Sequence, residues 1–303
     1  GLGKRLRCGR SGTQHANECP YGDVQPLFAI RGVSMVDYTP SQSSPIGVYV
    51  DEAYIGAPFL QGMAMYDMER IEVLRGPQGT LYGKNTTGGA INLITRTPDI
   101  DTGTKGWISA GAGSHGLITT NGAIQGTLID GQLAGRIAYK YKEDDGLWDN
   151  DSGPDMAQTK NYGVRLTLNY EPSENLGIIL KGSYGDSNPR ATVPRPVGTN
   201  PGGLNIAGST DSLNAKYHEG SIDKVGKSET ELSMLNLKIS YDFSDYTLVS
   251  VSSWYEGDYL QVTDTDGTPQ PLISIDWGAE TDSISQDLRI VSNYDGPFNF
   301  IAG

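Results

Sequence analysis

At 303 residues, with a formal net charge of −13 and 19% charged residues, the chain is long enough for one or two domains. It is too acidic for a nucleic-acid binder, whose affinity rests on neutralising phosphates with lysine and arginine. No apolar run approaches the ~20 residues of a membrane helix. A membrane β-barrel is not excluded on that ground, because its lipid-facing side chains are hidden in alternation.

Residues 1–26 show neither apolar periodicity nor the long apolar core of a secretory signal. Their cysteines, Cys8 and Cys19, would form a disulfide only in an oxidising compartment, and no role is expected of them. Further on, YDMERIEVLRGPQGTLYGKNTTGGAINLITRTP, from Tyr66 to Pro98, sets glycines between two apolar runs. Ile71, Val73 and Leu74 predict a short strand, with a short helix just before Glu69. Gly76-Pro77 forces a turn, because proline has no N–H for a ladder and glycine adopts conformations closed to other residues. Gly79, Gly83, Gly88 and Gly89 keep the chain turning, Ala90–Thr95 predicts a second strand, and Pro98 closes the unit. A small α+β body results.

After Pro98 the pattern changes to period two. Tyr162, Val164, Leu166, Leu168 and Tyr170 fall on one face of a strand, with Asn161, Arg165, Thr167 and Asn169 on the other. Leu133, Ile137, Tyr139 and Tyr141 likewise oppose Arg136, Lys140 and Lys142, and Leu235, Leu237, Ile239 and Tyr241 oppose Asn236 and Lys238. Leu176, Ile178 and Leu180 oppose Lys181, and Ile284, Leu288 and Ile290 oppose Asp287 and Arg289. Asp130-Gly131, Pro172–Asn175 and Ser244-Asp245 are tight turns. Between them fall long connections at about 143–160, 186–230 and 256–279. Short on one side and long on the other is the pattern of an outer-membrane barrel, and tyrosines ~20 Å apart along a strand match its two aromatic girdles.

On these residues the chain resembles the TonB-dependent outer-membrane receptors. ERIEVLRGPQGTLYG followed by NTTGGAINLITRTP is similar to the second half of their plug domain. Ile30-Arg31-Gly32 and GVYVDEAYIGAP from Gly47 to Pro58 sit where the family carries its IRG and VYVDG segments, with Glu52-Ala53 in place of the usual glycine turn. The resemblance implies an α+β plug followed by an incomplete antiparallel transmembrane β-barrel. About eight strands, with a ninth beginning at Phe298, stand against the ~22 that enclose a plugged lumen. Residues 1–26 are then unmatched, 27–98 are the later part of the plug, and 99–303 are the first part of the barrel; a signal peptide, TonB box and first part of the plug are expected to be missing. Glu69, Arg70, Gly76, Pro77, Gly79, Tyr82, Gly83, Gly88 and Gly89 are the plug-motif positions. Arg31 and Arg75 are implied to lock plug to barrel through glutamates beyond Gly303. The alternative is local pairing with Asp67, Glu69 or Glu72.

The implied function is energised uptake of a scarce nutrient across the bacterial outer membrane. A ferric siderophore is the foremost cargo, TonB and outer-membrane lipid are the partners, and no cofactor is involved. Cobalamin or an oligosaccharide is the alternative cargo, and a soluble or surface adhesin or sugar-binding module the alternative class. Gly111–Gly116 fits G-x-G-x-x-G, but a strand follows instead of a helix, so an outer hairpin turn is expected. His15, His115 and His218 lack metal-site spacing, and no Ser/His/Asp grouping argues for catalysis. Residues 143–160 and 256–282 hold nearly the whole net charge. Such loops suit calcium or the steering of a cation, yet their spacing matches no calcium motif and solvation by water is the expected reading.

Overall fold

The computed structural model describes residues 17–18, 26–35, 42–191, 193–194, 201, 204, 208 and 218–303. Cys8, Cys19, His15 and much of the Pro- and Gly-rich stretch 189–203 lie outside the described residues.

The first part of the chain builds an inner body. Strands β1 (Asn17–Glu18) and β2 (Pro26–Leu27) pair antiparallel, as do β3 (Ala29–Ile30) and β4 (Val33–Ser34). Next come β5 (Ile46–Val50), β6 (Ala53–Tyr54), β7 (Met68–Arg75), the one-turn helix α1 (Gly79–Tyr82) and β8 (Gly89–Thr95). They form a four-stranded sheet of order β6-β5-β8-β7 in which only β5 and β8 run parallel. Every residue of β5 is buried. Its unbroken apolar run is what a strand covered on both faces requires.

The helix expected just before Glu69 is not formed. Residues 61–64 make turns, β7 starts at Met68, and the helical pieces nearby are a 3-10 turn at Pro58–Leu60 and α1. Phe59, Leu60, Met63 and Ala64 are all buried, so the segment has no polar face to give to solvent and no amphipathic stripe for a longer helix.

The remainder is a meander: β9 (Lys105–Ala112), β10 (Ile118–Ile129), β11 (Leu133–Glu143), β13 (Lys160–Ser173), β14 (Leu176–Ser187), β16 (Lys227–Asp242), β17 (Tyr246–Asp264), β18 (Ser274–Ser292) and the stub β19 (Ile301–Ala302). These form one nine-stranded antiparallel sheet, with β9 and β19 as its edges and no closure between them. Two short strands in the long connections, β12 (Asp149–Asn150) and β15 (Glu219–Gly220), pair parallel with each other outside it.

The alternation holds. Along β13, Asn161, Gly163, Arg165, Thr167 and Asn169 are buried against the inner body, while Tyr162, Val164 and Leu166 face outward at 39%, 43% and 47% exposure. Outward rings cluster near both strand ends: Tyr162 on Tyr184 at 6.1 Å, and Tyr241 on Phe243 at 4.8 Å. The third long connection is shorter than expected, spanning only 265–273, because β17 and β18 stay paired as far as Asp264↔Ser274. Glu256, Asp258, Glu280 and Asp282 are therefore exposed strand residues, not loop residues. Strands this long exceed the 9–11 residues of a crossing, so their upper parts project past the apolar band. Gly111–Gly116 joins β9 to β10 as the expected turn, with His115 and Gly116 at positive φ.

The inner face is drier than its polar residues suggest. Leu232, Met234, Tyr255 and Tyr259 join Phe28, Val48, Phe59, Leu60 and Met63 in one apolar cluster. Gly257 lets the two parts meet, since a Cβ there would lie 2.5 Å from Leu60 Cδ1.

Gly89 sits at φ 150°, where a Cβ would come within 2.4 Å of the Leu74 carbonyl oxygen. Gly89→Val should therefore destabilise the inner body by about 2 kcal/mol or more. A urea titration of the full chain in detergent, followed by protease cleavage within 46–95, measures this; an unchanged midpoint would refute the close-approach role.

Candidate functional site between inner body and sheet

A line of register partners crosses the inner face of the sheet: Gln125, Arg136, Thr167, Lys181 and Asn236 lie side by side on β10, β11, β13, β14 and β16. Each strand delivers its side chain inward because the residue belongs to the inward-facing half of that strand's alternation. Arg136 donates from Nε and Nη2 to Asp67 at 2.8 and 2.5 Å, and from Nη1 to Gln125 at 2.7 Å. Both ends of this fork are buried, at 6% and 3% side-chain exposure. Lys181 Nζ reaches Asp51 Oδ1 at 2.8 Å and both oxygens of Thr95, while Thr95 Oγ1 donates to Asp51 Oδ2 at 2.7 Å. Asn236 donates to the Asp51 carbonyl at 3.2 Å.

Arg165, 2% exposed, has no carboxylate partner among the described residues. It donates to the carbonyls of Tyr66 and Ala64 at 2.8 and 2.9 Å and to Ser183 at 3.0 Å, with the Tyr66 ring 4.3 Å away. Carbonyl dipoles and a ring face thus hold this charge in a dry site. Burial pushes the Tyr66 hydroxyl up to about 12.

Glu52 occupies the turn that departs from the family's glycine. Val50 and Ala53 pair across Asp51 and Glu52, both at positive φ, 48° and 74°. Two left-handed residues are what a tight type I′ hairpin needs, and a non-glycine side chain resists them. The Glu52 carboxylate bonds Lys238 at 2.6 Å on β16 and also Arg289 on β18. Burial acts to raise its carboxyl, but the hydrogen bonds and charges of Lys238 and Arg289 prevail and hold it below its ordinary value of 4.5.

Towards the long connections, a cavity of about 640 Å³ opens between the inner body and β17–β18, walled by Tyr54, Phe59, Lys84, Asn85, Tyr255 and Trp277. Phe59 stacks on Tyr259 at 5.2 Å, and Trp277 Nε1 donates to Gln261 at 2.8 Å. The rings share the wall with Lys84 and with Glu280 and Asp282, so the cavity suits a ligand with aromatic or apolar faces and polar groups and sets no single charge for it.

The residues singled out from the sequence are placed differently. Arg31 and Arg75 are exposed, and no side-chain hydrogen bond or ion pair joins either to another described residue. Local pairing is overturned: Glu69 and Glu72 bond Arg70 at 2.6 and 2.7 Å, and Asp67 is held by Arg136. Gly76 and Gly83 take positive φ, Gly76 N–H donates to the Gly88 carbonyl at 3.2 Å, and Pro77 and Gly79 lead into α1. Tyr82 accepts a hydrogen bond from Asn92 at 2.8 Å and packs edge-on against Tyr49. Arg136, Arg165 and Lys181 carry the buried cationic contacts to the inner body, beside the more exposed ones of Lys238 and Arg289 to Glu52. Their sequence signal was only a basic residue on the non-aliphatic side of each strand.

Residues 12–90 match the family described as the TonB-dependent Receptor Plug Domain. The chain is 31% identical over 243 residues to the pesticin receptor of Yersinia enterocolitica, covering 77% of this chain and 32% of that protein. It is 28% identical over 142 residues to the vitamin B12 transporter BtuB of Photobacterium profundum, covering 46% of this chain and 23% of that protein. In structure it resembles the ferric yersiniabactin uptake receptor FyuA of Yersinia pestis with a TM-score of 0.74 at 22% identity, over 91% of this chain and 40% of that one. The chain thus spans about a third of the pesticin receptor's length and under a quarter of that of the vitamin B12 transporter.

Replacing Arg136 by methionine should cost about 3–5 kcal/mol, because Asp67 is left as an uncompensated buried charge. The double variant with Asp67→Leu should recover much of that loss; denaturant midpoints in a double-mutant cycle read the coupling, and additive losses would deny the pair. For Glu52, a depressed carboxyl stabilises above its ordinary value and loses that contribution as pH falls through the lowered one. The stability advantage of the native chain over Glu52→Gln should shrink once pH drops below 4.5. Melting curves from pH 7 downward measure it, and a constant difference would contradict the assignment.

Proposed function

This chain belongs to the TonB-dependent receptors, and from that premise we propose that it forms plug and barrel strands of an outer-membrane transporter that takes up a ferric siderophore. The observation that carries the reading is the seat of the inner body. Buried cations from successive strands hold it, and the opposite faces of the same strands are aliphatic between rings. A sheet with that sidedness is stable only with lipid outside and a filled interior.

Uptake requires the plug to leave or rearrange. The inner row of contacts consists largely of side-chain bonds to carboxylates and carbonyls, and water can replace each of these once a partner is withdrawn. The apolar cluster around Leu60 and Tyr255 offers no such replacement, so a pull transmitted by TonB has to part both kinds of contact. The step is differential binding and release without covalent chemistry. Ligand enters from the side of the long connections and meets the cavity walled by Phe59, Tyr255 and Trp277, with Lys84 as its cation.

Arg31 and Arg75 are proposed as the second half of the lock. Both lie exposed, Arg75 ends the edge strand β7, and Ile71 and Val73 beside it are 48% and 51% exposed. Further barrel wall carrying carboxylates would cover that edge. The resemblance to a vitamin B12 transporter supports cobalamin as the alternative cargo.

The complete receptor should restore growth under iron limitation to a strain lacking its own siderophore receptors. Arg75→Ala should lower that rescue at least about tenfold, the scale of a lost buried charge contact. Rescue of cobalamin-dependent growth alone would replace the cargo, and undiminished rescue by Arg75→Ala would remove its locking role.

A further inference from the structure

Asp223, in the connection between β14 and β16, meets Asp264 and Asp266 at the end of β17. Their carboxylate oxygens lie within 4.8 Å of one another. Asp264 and Asp266 share one turn and Asp223 comes from another, earlier connection, so the cluster is completed by folding and not by one acidic loop. The Asp223 N–H donates to the Thr268 carbonyl at 3.2 Å, which fixes one connection against the other.

Turn chemistry accounts for part of this arrangement. Asp264 Oδ1 accepts from the Gly267 N–H at 2.8 Å, and Asp266 accepts from the N–H groups of Thr268 and Ile273 at 3.1 and 2.8 Å. The rest is unaccounted for. Asp264 is 3% exposed, and its Oδ2 is buried with no hydrogen-bond partner among the described residues. Lys224, the neighbouring cation, turns away to Ser274 and Asp276 at 3.1 and 2.9 Å. No described cationic side chain pairs with any of the three. A buried carboxylate oxygen without a donor, beside two more carboxylates, is costly unless a proton or a cation joins it.

The geometry points to a calcium site formed by Asp223, Asp264 and Asp266. All three donors are hard oxygens, which excludes a preference for zinc or copper. Calcium accepts six to eight oxygens in loose geometry, so three carboxylates can be completed by carbonyls and water; magnesium demands a near-ideal octahedron and sheds water reluctantly. The site lies on the side of the long connections, where a weak extracellular-type calcium site would fill. Occupied, it clips residues 218–226 to the β17–β18 hairpin, where β18 places Trp277 in the cavity wall three residues after its start at Ser274. Calcium therefore sets the outer mouth, independently of which cargo passes.

The test is calorimetric titration of calcium chloride into the complete receptor in detergent after stripping with chelator. Native protein should show saturable binding, and both Asp223→Asn and Asp264→Asn should weaken it at least about tenfold. Asp258→Asn, which removes an exposed carboxylate from the same hairpin and leaves the cluster and Lys224 as they are, should leave it unchanged. If Asp264→Asn fails to fold, the exposed Asp223→Asn decides. Absence of saturable binding up to about 10 mM, above the range of extracellular sites, overturns the proposal. So does native affinity in Asp223→Asn, or equal competition by magnesium.

Discussion

The buried fork between Arg136 and Asp67 is the contact on which the two halves of this protein depend. A guanidinium and a carboxylate taken out of water gain little over a good apolar contact, but each becomes very costly if the other is withdrawn. That asymmetry gives orientation. The inner body cannot rotate or slide against the sheet without stranding Arg136, and Lys181 and Arg165 on neighbouring strands repeat the constraint at Asp51, Thr95, Tyr66 and Ala64. Apolar contacts such as Leu60 against Gly257 add cohesion but little direction, since apolar attraction is non-directional.

The hairpin turn at Asp51 and Glu52 shows how local strain and this constraint support each other. A glycine there would adopt the left-handed backbone freely. The side chains present do so only because Asp51 is bound by Lys181 and Thr95 and Glu52 by Lys238 and Arg289. A turn that looks like a departure from pattern is thus the point where three barrel strands take hold of the plug.

The same strands face two media. Their outward side chains form an aliphatic band ended by rings, and their inward ones either bind the plug or pack against it. The long strands β17 and β18 carry this sidedness beyond the band, which puts aromatic residues of the inner face beside the plug apex and carboxylates of the outer face in water. Cavity, lock and acidic cluster all follow from which residues of those strands point inward and how far the pairing continues.

Period-two alternation, glycine and proline punctuation, and tight turns made the strands, their outward faces and the order plug-then-barrel legible in the sequence, because these features are local and repeat within a strand. The inward partners were not legible. Arg136, Arg165 and Lys181 appeared only as members of a wetted face, since alternation says which side a residue lies on and nothing about what covers that side. The pairing of Asp67 with Arg136 spans 69 positions and that of Asp51 with Lys181 spans 130. Whether Asp264 meets Asp223 likewise depends on two connections arriving at one place. Such contacts are set by register between distant strands and by the body they enclose, so tertiary structure alone decides them.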